Sequence, residues 1–361
     1  MTLDHYITLG RSGLRVSPFS LGTMTFGEDL GWGSTAEEST AIIDRYLELG
    51  GNFLDTANGY TKGHSEKIIG DHLGHDKAKR DRVVIATKFS SNLFPGDPNA
   101  GGSNRKAILG QVEESLRRLR TDYIDLYWLH NWDKHTPIEE TMSALDTLVR
   151  DGKVRYLGIS DTPAWKTAQA QLIAQFRGWE PITAIQIEYN LTERTSEGEL
   201  IPMAHELGIG VAPWSPLDGG LLTGKYTRED REPADSKRAP IVSAALTDTK
   251  LDIIDVLVRI ADETSATPAQ IALAWVQGRP GVGSTIIGAR TLEQLEENVA
   301  ALEVTLTDAQ RAELDEVSTP ILPFPLPFLA GTPGLHFPDA TVNGITGGHH
   351  PFIPRDHSDH Y

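Results

Sequence analysis

The sequence predicts an α/β protein, a closed (β/α)8 TIM barrel with an N-terminal hairpin and an irregular C-terminal tail. Three observations predict it. Eight short apolar runs bounded by turn residues alternate with stretches of helical periodicity along the 361 residues. The runs are continuously apolar, as strands of a parallel sheet covered on both faces must be. An open doubly wound sheet would carry G-x-G-x-x-G after its first strand, whereas here Gly22-Thr23-Met24 follows.

The elements follow in order. YITLGRSGLRVSPFSLG holds two short runs around Arg11-Ser12-Gly13, which predicts a hairpin plugging the bottom of the barrel. PFSLG from Pro18 is the first barrel strand. AEESTAIIDRYLELG is the first helix, opened by Ser34-Thr35 as a cap and closed by Gly50-Gly51. NFLD from Asn52 and VVIATK from Val83 are the next strands. RKAILGQVEESLRRLR then places Ile108, Val112, Leu116 and Leu119 on one helical face. YIDLYWLH from Tyr123 precedes IEETMSALDTLVRDGK, which follows Pro137 at a helix start and ends at Gly152. RYLGIS from Arg155, AIQIEY from Ala184, GVAPW from Gly210 and STIIGA from Ser284 complete the set. A longer gap from Pro216 to Asp248, containing DREPADSKR, reads as a polar excursion over one face. Residues 1–319 are thus expected to form the barrel and 320–361 a tail over its mouth. The tail's PILPFPLPFLAGTPGLHFP and GGHHPFIPRDHSDHY are too rich in proline and glycine to form helices.

Composition narrows the function. With no cysteine, disulfides, thiolate metal sites and cysteine nucleophiles are excluded. The formal net charge of −17 argues against nucleic-acid binding, without forbidding a basic pocket for one anionic ligand. No apolar run approaches membrane-spanning length, and Met1-Thr2-Leu3-Asp4 opens without a basic, then apolar, signal segment. A cytoplasmic location is expected. No H-E-x-x-H occurs, and His349, His350, His357 and His360 read as a solvated end, so no metal is expected. GGLLTGKY from Gly219 matches the opening of a phosphate-binding P-loop, but Tyr226 replaces the required Ser or Thr and no strand-to-helix context surrounds it. The Asn-Leu-Thr triplet at Asn190 is set aside, because nothing suggests secretion.

In a barrel, chemistry sits at the carboxyl ends of the strands. The second run ends in Asp55, the third in Lys88, the fourth in His130 and the fifth in Ser160-Asp161. The sixth carries Gln186 and ends at Tyr189, and the seventh ends at Trp214. In NFLDTANGY, Tyr60 follows Asp55 on the loop. Taken singly, each has a plain structural explanation: a strand-end cap, a solvated lysine, a core histidine. Together they deliver a carboxylate, an ammonium, an imidazole and a hydroxyl to one rim.

At these residues the chain resembles the aldo-keto reductase superfamily, the NADP(H)-dependent bacterial type with an extended C-terminal tail. The resemblance runs from LGTMTFG through DTANGYTKGHSE, IATK, DLYWLH, GISD, IQIEYN and PWSPLDGGLLTGKY to IIGARTLEQLEEN. It implies a catalytic tetrad of Asp55, Tyr60, Lys88 and His130, and a nicotinamide dinucleotide bound without a Rossmann domain. Ser160, Asp161 and Gln186 would hold the carboxamide and Trp214 would stack on the ring. Gly22, Thr23 and Met24 join Asp55 beside the cofactor. Ser215, Pro216, Leu217 and the loop with Gly219, Leu221, Gly224 and Lys225 would line the pyrophosphate. Ile287, Gly288, Ala289 and Arg290 open the last helix, where Arg290 would pair with a 2′-phosphate and Gln294, Glu297 and Asn298 would meet the adenosine. Arg290 favours NADPH over NADH. Two departures stand out: the family usually has asparagine at Asp161, and some members have a lysine or second arginine where Gly288 and Gln294 stand.

The implied chemistry also explains the residue types. A carbonyl that accepts a hydride needs a proton in the transition state. A phenol with an ordinary pKa of roughly 10 gives one up poorly; an ammonium beside it is expected to lower that pKa, and a carboxylate to hold the ammonium. His130 would donate a hydrogen bond to the substrate oxygen. Phe26, Trp32, Phe89, Trp132 and the tail's Phe324 and Phe328 are candidates for the substrate pocket, suiting an aryl, alkyl or glycosidic carbonyl compound. Two other readings remain: a cofactor-binding regulatory subunit like the channel-associated β subunits of the superfamily, and a Schiff-base aldolase using Lys88. Oligomeric state is not legible.

Overall fold

The computed structural model describes residues 1–233, 243–244 and 246–354. Residues 234–238 of the polar excursion, together with His357 and His360, lie outside the described residues. The chain forms two compact units, Met1–Thr319 and Pro320–Tyr361.

Strands β1 (Ile7–Thr8) and β2 (Arg15–Val16) pair antiparallel as the expected hairpin. The apolar runs then form β3 (Phe19–Gly22), β4 (Phe53–Asp55), β5 (Val84–Phe89), β6 (Ile124–Leu129), β7 (Val154–Ser160), β8 (Ile182–Glu188), β9 (Gly210–Trp214) and β10 (Thr285–Gly288). From β3 to β9 each pairs in parallel with the next, and β10 pairs in parallel with β3. A bridge from Val211 to Val282, with the Gly283 N–H donating to the Val211 carbonyl at 2.8 Å, closes the ring. The eight-stranded sheet is the predicted (β/α)8 barrel.

Strand side chains alternate between the interior and the helices outside. Phe53, Val84, Ala86, Leu126, Trp128, Ala184 and Ala212 form one buried cluster with Leu9, Leu14 and Val16 of the hairpin. That cluster is the barrel interior with its bottom plug. Trp128 fills the space opposite Gly158, where a Cβ would stand 2.1 Å from the indole. Two residues further along the same parity stand Asp55, Lys88, His130, Gln186 and Trp214. The apolar interior therefore forms a floor, and the polar residues form the next layer up.

The other parity buries against the helices. The helix Ala36–Glu48 starts at a capping box in which the Thr35 hydroxyl accepts from the Glu38 amide and Glu38 accepts from the Thr35 amide. Tyr46 on it donates its hydroxyl proton to the Phe19 carbonyl at 2.7 Å, tying helix to sheet. In the helix Arg105–Leu119, Ile108, Val112, Leu116 and Leu119 are buried, each such side chain contributing about 1.5–3 kcal/mol of apolar burial. The last crossover is richer than its sequence suggests: helices Asp248–Thr264 and Pro268–Gln277 both precede β10.

In the tail, the expectation of no helix is corrected. One-turn helices form at Leu326–Ala330 and Pro333–His336, followed by a hairpin of Thr341–Val342 and Ile345–Thr346. Each helix carries a proline in its first turn, where the missing N–H costs no hydrogen bond.

Candidate active site

Lys88 is wholly buried on the interior face of β5, an arrangement that requires partners for its ammonium. Its Nζ donates to Asp55 Oδ2, to the Thr56 carbonyl at 2.8 Å and to the Tyr60 hydroxyl at 3.0 Å. Asp55 is fixed from its other oxygen by Gln186 Nε2 at 2.9 Å. His130 sits edge-on to Tyr60 with ring centroids 5.8 Å apart. The four groups thus converge at one rim, although two come from strand ends, one from a loop and one from just past a strand.

Their charge states follow from burial and neighbours. Burial disfavours the Lys88 ammonium, but Asp55 and Tyr60 together outweigh it, and the lysine pKa lies above its usual value. For Tyr60 burial is the larger effect: it raises the phenol pKa against the pull of Lys88. The expectation that Lys88 lowers the phenol below its ordinary value is therefore corrected. His130 is pushed down to about 3, by burial first and the Lys88 charge second, and is neutral at physiological pH. Its Nδ1 is buried with no hydrogen-bond partner. Burial also raises the Asp161 carboxyl above the usual range, opposed by the hydrogen bond from Trp214 Nε1 at 3.0 Å.

A cavity of about 760 Å³ opens from this rim. Tyr60, His130 and Asp55 line one end, with Gly22, Met24, Asp161, Gln186 and Trp214. Ser215, Pro216, Leu217, Gly219 and Lys225 continue it, and Ile287, Gly288, Ala289, Arg290, Gln294, Glu297 and Asn298 form the far end. Gly220 and Thr223 of the loop 219–225 also line it, while sequence reasoning missed Thr25 and Ile286, and also Ala269 and Leu273, one turn apart on the helix Pro268–Gln277. No strand-end rule selects a helix two elements away.

Four expected cofactor residues do not line the cavity. Thr23 is buried with its hydroxyl on the Asp55 carbonyl at 3.1 Å, Ser160 is buried at the end of β7, and Leu221 packs in the core. Gly224 has a φ of +81° and lies so close to Pro268 that a Cβ would stand 2.7 Å from its ring. Of the expected substrate residues, Phe26 and Phe89 are wholly buried core. Trp32 is partly exposed outside the cavity lining, and Trp132 packs edge-to-face on Trp165. Phe324 and Phe328 belong to the separate tail unit and are exposed.

The cavity suits a long anionic ligand. Ser215, Asp218, Gly219 and Gly220 all have positive φ, which turns backbone amides in the loop after β9. Asp218 is held there by Lys250 Nζ at 2.7 Å and by the Thr192 hydroxyl at 2.7 Å. Among the described residues, no carboxylate pairs with Lys225 or Arg290, and both cations line the cavity. Gln294 accepts from the Arg290 amide at 3.0 Å and Asn298 donates to the Gly288 carbonyl at 3.0 Å, pinning the strand-to-helix turn.

A parallel barrel whose rim joins a buried ammonium to a phenol, beside a cavity of about 760 Å³, has the architecture of a barrel enzyme for a small molecule. Comparison with known proteins gives the family. Residues 18–319 match the model of the Aldo/keto reductase family, and the chain belongs to it. It is 39% identical to the uncharacterized oxidoreductase YrpG of Bacillus subtilis, over 83% of this chain and 92% of that protein. It is 35% identical to norsolorinic acid reductase of Aspergillus flavus, over 91% of this chain and 84% of the other. It is 34% identical to the putative aryl-alcohol dehydrogenase AAD14 of Saccharomyces cerevisiae, over 90% and 89%. The protein is an NAD(P)H-dependent oxidoreductase.

Proposed function

We propose that the protein reduces an aldehyde or ketone with NADPH, and runs the reverse alcohol oxidation, with Tyr60 as general acid. The observation that carries this reading is the 3.0 Å hydrogen bond from the Lys88 ammonium to the Tyr60 hydroxyl at the cavity end. A nicotinamide dinucleotide bound in the cavity would supply the hydride. Arg290 and Lys225 would hold its phosphates, Gln294, Glu297 and Asn298 its adenosine end, and Trp214, Asp161 and Gln186 its nicotinamide end.

The residues do the rest. Tyr60 keeps its proton through the neutral range because burial raises its pKa. As the substrate oxygen gains charge, Tyr60 gives up that proton, and the ammonium 3.0 Å away stabilises the tyrosinate left behind. Asp55, braced by Gln186, keeps the ammonium charged and in place. Neutral His130 has one N–H to donate and steadies the substrate oxygen. Arg290 favours a 2′-phosphate, hence NADPH over NADH.

Two relatives bear names that mention a reductase and an aryl-alcohol dehydrogenase, which supports an aryl carbonyl substrate. A Schiff-base aldolase is disfavoured, because the Lys88 amine is fully buried and kept protonated, so it has no free lone pair. The test is Tyr60→Phe. It should bind NADPH normally in a fluorescence titration and lose at least ~100-fold in kcat, the scale of general-acid catalysis. Near-normal turnover in this variant removes Tyr60 from the role. Steady-state turnover of a carbonyl panel by the native protein separates an enzyme from a regulatory subunit.

A further inference from the structure

Beyond the cavity, the mouth carries an aromatic pair that the reaction leaves unused. Trp132 lies on the loop after β6 and Trp165 on the first turn of the helix Ala164–Arg177, which follows β7. The indoles meet edge to face, with centroids 5.6 Å apart and planes at 85°. Trp165 is 59% exposed, although its indole is the largest apolar group available to a core. Lys166 Nζ lies 4.4 Å from the Trp165 ring and 5.8 Å from the Trp132 ring, and Lys134 Nζ lies 5.9 Å from Trp132.

Lys166 donates to the uncharged Gln169 Oε1 at 2.7 Å, and among the described residues no carboxylate pairs with either lysine. Asp133, beside Lys134 in sequence, is already engaged by the Ser103 and His135 amides and the Thr136 hydroxyl. In a chain of net charge −17, two ammonium groups with no carboxylate partner among the described residues, beside one exposed and one half-buried indole, make a flat-faced patch with local positive charge.

We propose that Trp132, Trp165, Lys134 and Lys166 form an outer subsite for the anionic aromatic end of a carbonyl substrate, such as a carboxylated aryl aldehyde or ketone. The placement agrees with this. β6 and β7 are paired neighbours, Trp132 follows His130 by two residues and Trp165 follows Asp161 by four. His130 and Asp161 line the cavity, and the segments that follow them carry Trp132 and Trp165 at the same end of the barrel. An indole face takes a flat ring by stacking, and a lysine, as a point charge on a flexible stem, takes an anion without demanding one geometry. The patch therefore selects a class of substrate: aromatic, extended and negatively charged.

This inference rests on the proposed carbonyl reduction, and binding can be read apart from turnover. The probes are 2-naphthoate and neutral 2-naphthamide, titrated against the intact protein by tryptophan fluorescence and calorimetry. The naphthoate should bind about three- to fivefold more tightly, the upper range for an exposed ion pair. Raising the salt should shrink that ratio, as expected of exposed charges. The double variant Lys134→Gln/Lys166→Gln should bring the ratio to about one. Trp165→Ala should weaken both probes and Trp165→Phe should restore them. Equal binding of the two probes to the native protein, or a ratio unchanged in the lysine variant, overturns the subsite. Matched thermal unfolding of the variants guards against misfolding. Native protein that prefers the naphthoate but reduces no aryl aldehyde with NADPH would keep the anion site and overturn its role in substrate recognition.

Discussion

At the scale of single residues, the molecule is organised around one buried charge. Lys88 is fully enclosed, and an ammonium there is tolerable because Asp55, the Thr56 carbonyl and Tyr60 take all three of its donors. Lys88→Met removes the cation and leaves the Asp55 carboxylate buried without its partner. The expected outcome is a loss of about 3–5 kcal/mol in urea unfolding as well as a fall in kcat. A variant as stable as the native protein would mean that the pair contributes little to folding. His130 gives a pH prediction. Its folded pKa of about 3 lies below the unfolded value. As pH falls through about 6.5, the unfolded chain takes up this proton first, so stability is lost progressively down to the folded value. By pH 5 the loss from this one group is about 2 kcal/mol, and His130→Asn should flatten the fall in unfolding free energy between pH 7 and pH 5. Equal slopes for the two proteins would show that the imidazole is less enclosed.

At the scale of elements, strand parity decides what reaches the mouth. Phe53 and Asp55, Ala86 and Lys88, Trp128 and His130, Ala184 and Gln186, and Ala212 and Trp214 each lie two residues apart and share the inner face. The period was visible in the sequence, so Asp55, Lys88 and His130 were legible as rim residues. What parity hides is the contribution of elements that are not barrel strands. Ala269 and Leu273 enter the cavity wall from a helix, and Phe26 and Phe89 turn out to be core, because apolar residues near a strand end look alike whichever way they face. Gly158 tests the interior packing. Its Cβ would stand 2.1 Å from Trp128, so Gly158→Ala should cost about 1–3 kcal/mol through overpacking. The capping box at Thr35 contributes less: Thr35→Ala should lower stability by about 1 kcal/mol, measured by denaturant midpoint at constant m.

At the scale of the whole molecule, an acidic protein presents a cavity lined by two cations, Lys225 and Arg290, that pair with no carboxylate among the described residues. Its net negative charge says nothing about that pocket, because local arrangement sets the field an anion meets. Linkage makes the cavity measurable without catalysis. NADPH at a hundred times its Kd should stabilise the fold by about 2.7 kcal/mol, seen as a rise of several degrees in Tm. Arg290→Ala should reduce the shift given by NADPH more than the shift given by NADH. An equal reduction for both would assign Arg290 to a phosphate shared by the two dinucleotides.

The sequence alone determined the barrel, the hairpin beneath it and the rim residues, since each is written locally in apolar runs, turn residues and a period of two. Tertiary structure decided the rest. It set the balance that leaves the Tyr60 pKa raised, because burial is a property of everything packed around the phenol and not of its neighbours in the chain. It sent Phe26 and Phe89 into the core and brought Trp132 against Trp165, residues 33 positions apart, one on the loop after β6 and one on the helix after β7, which meet because β6 and β7 pair.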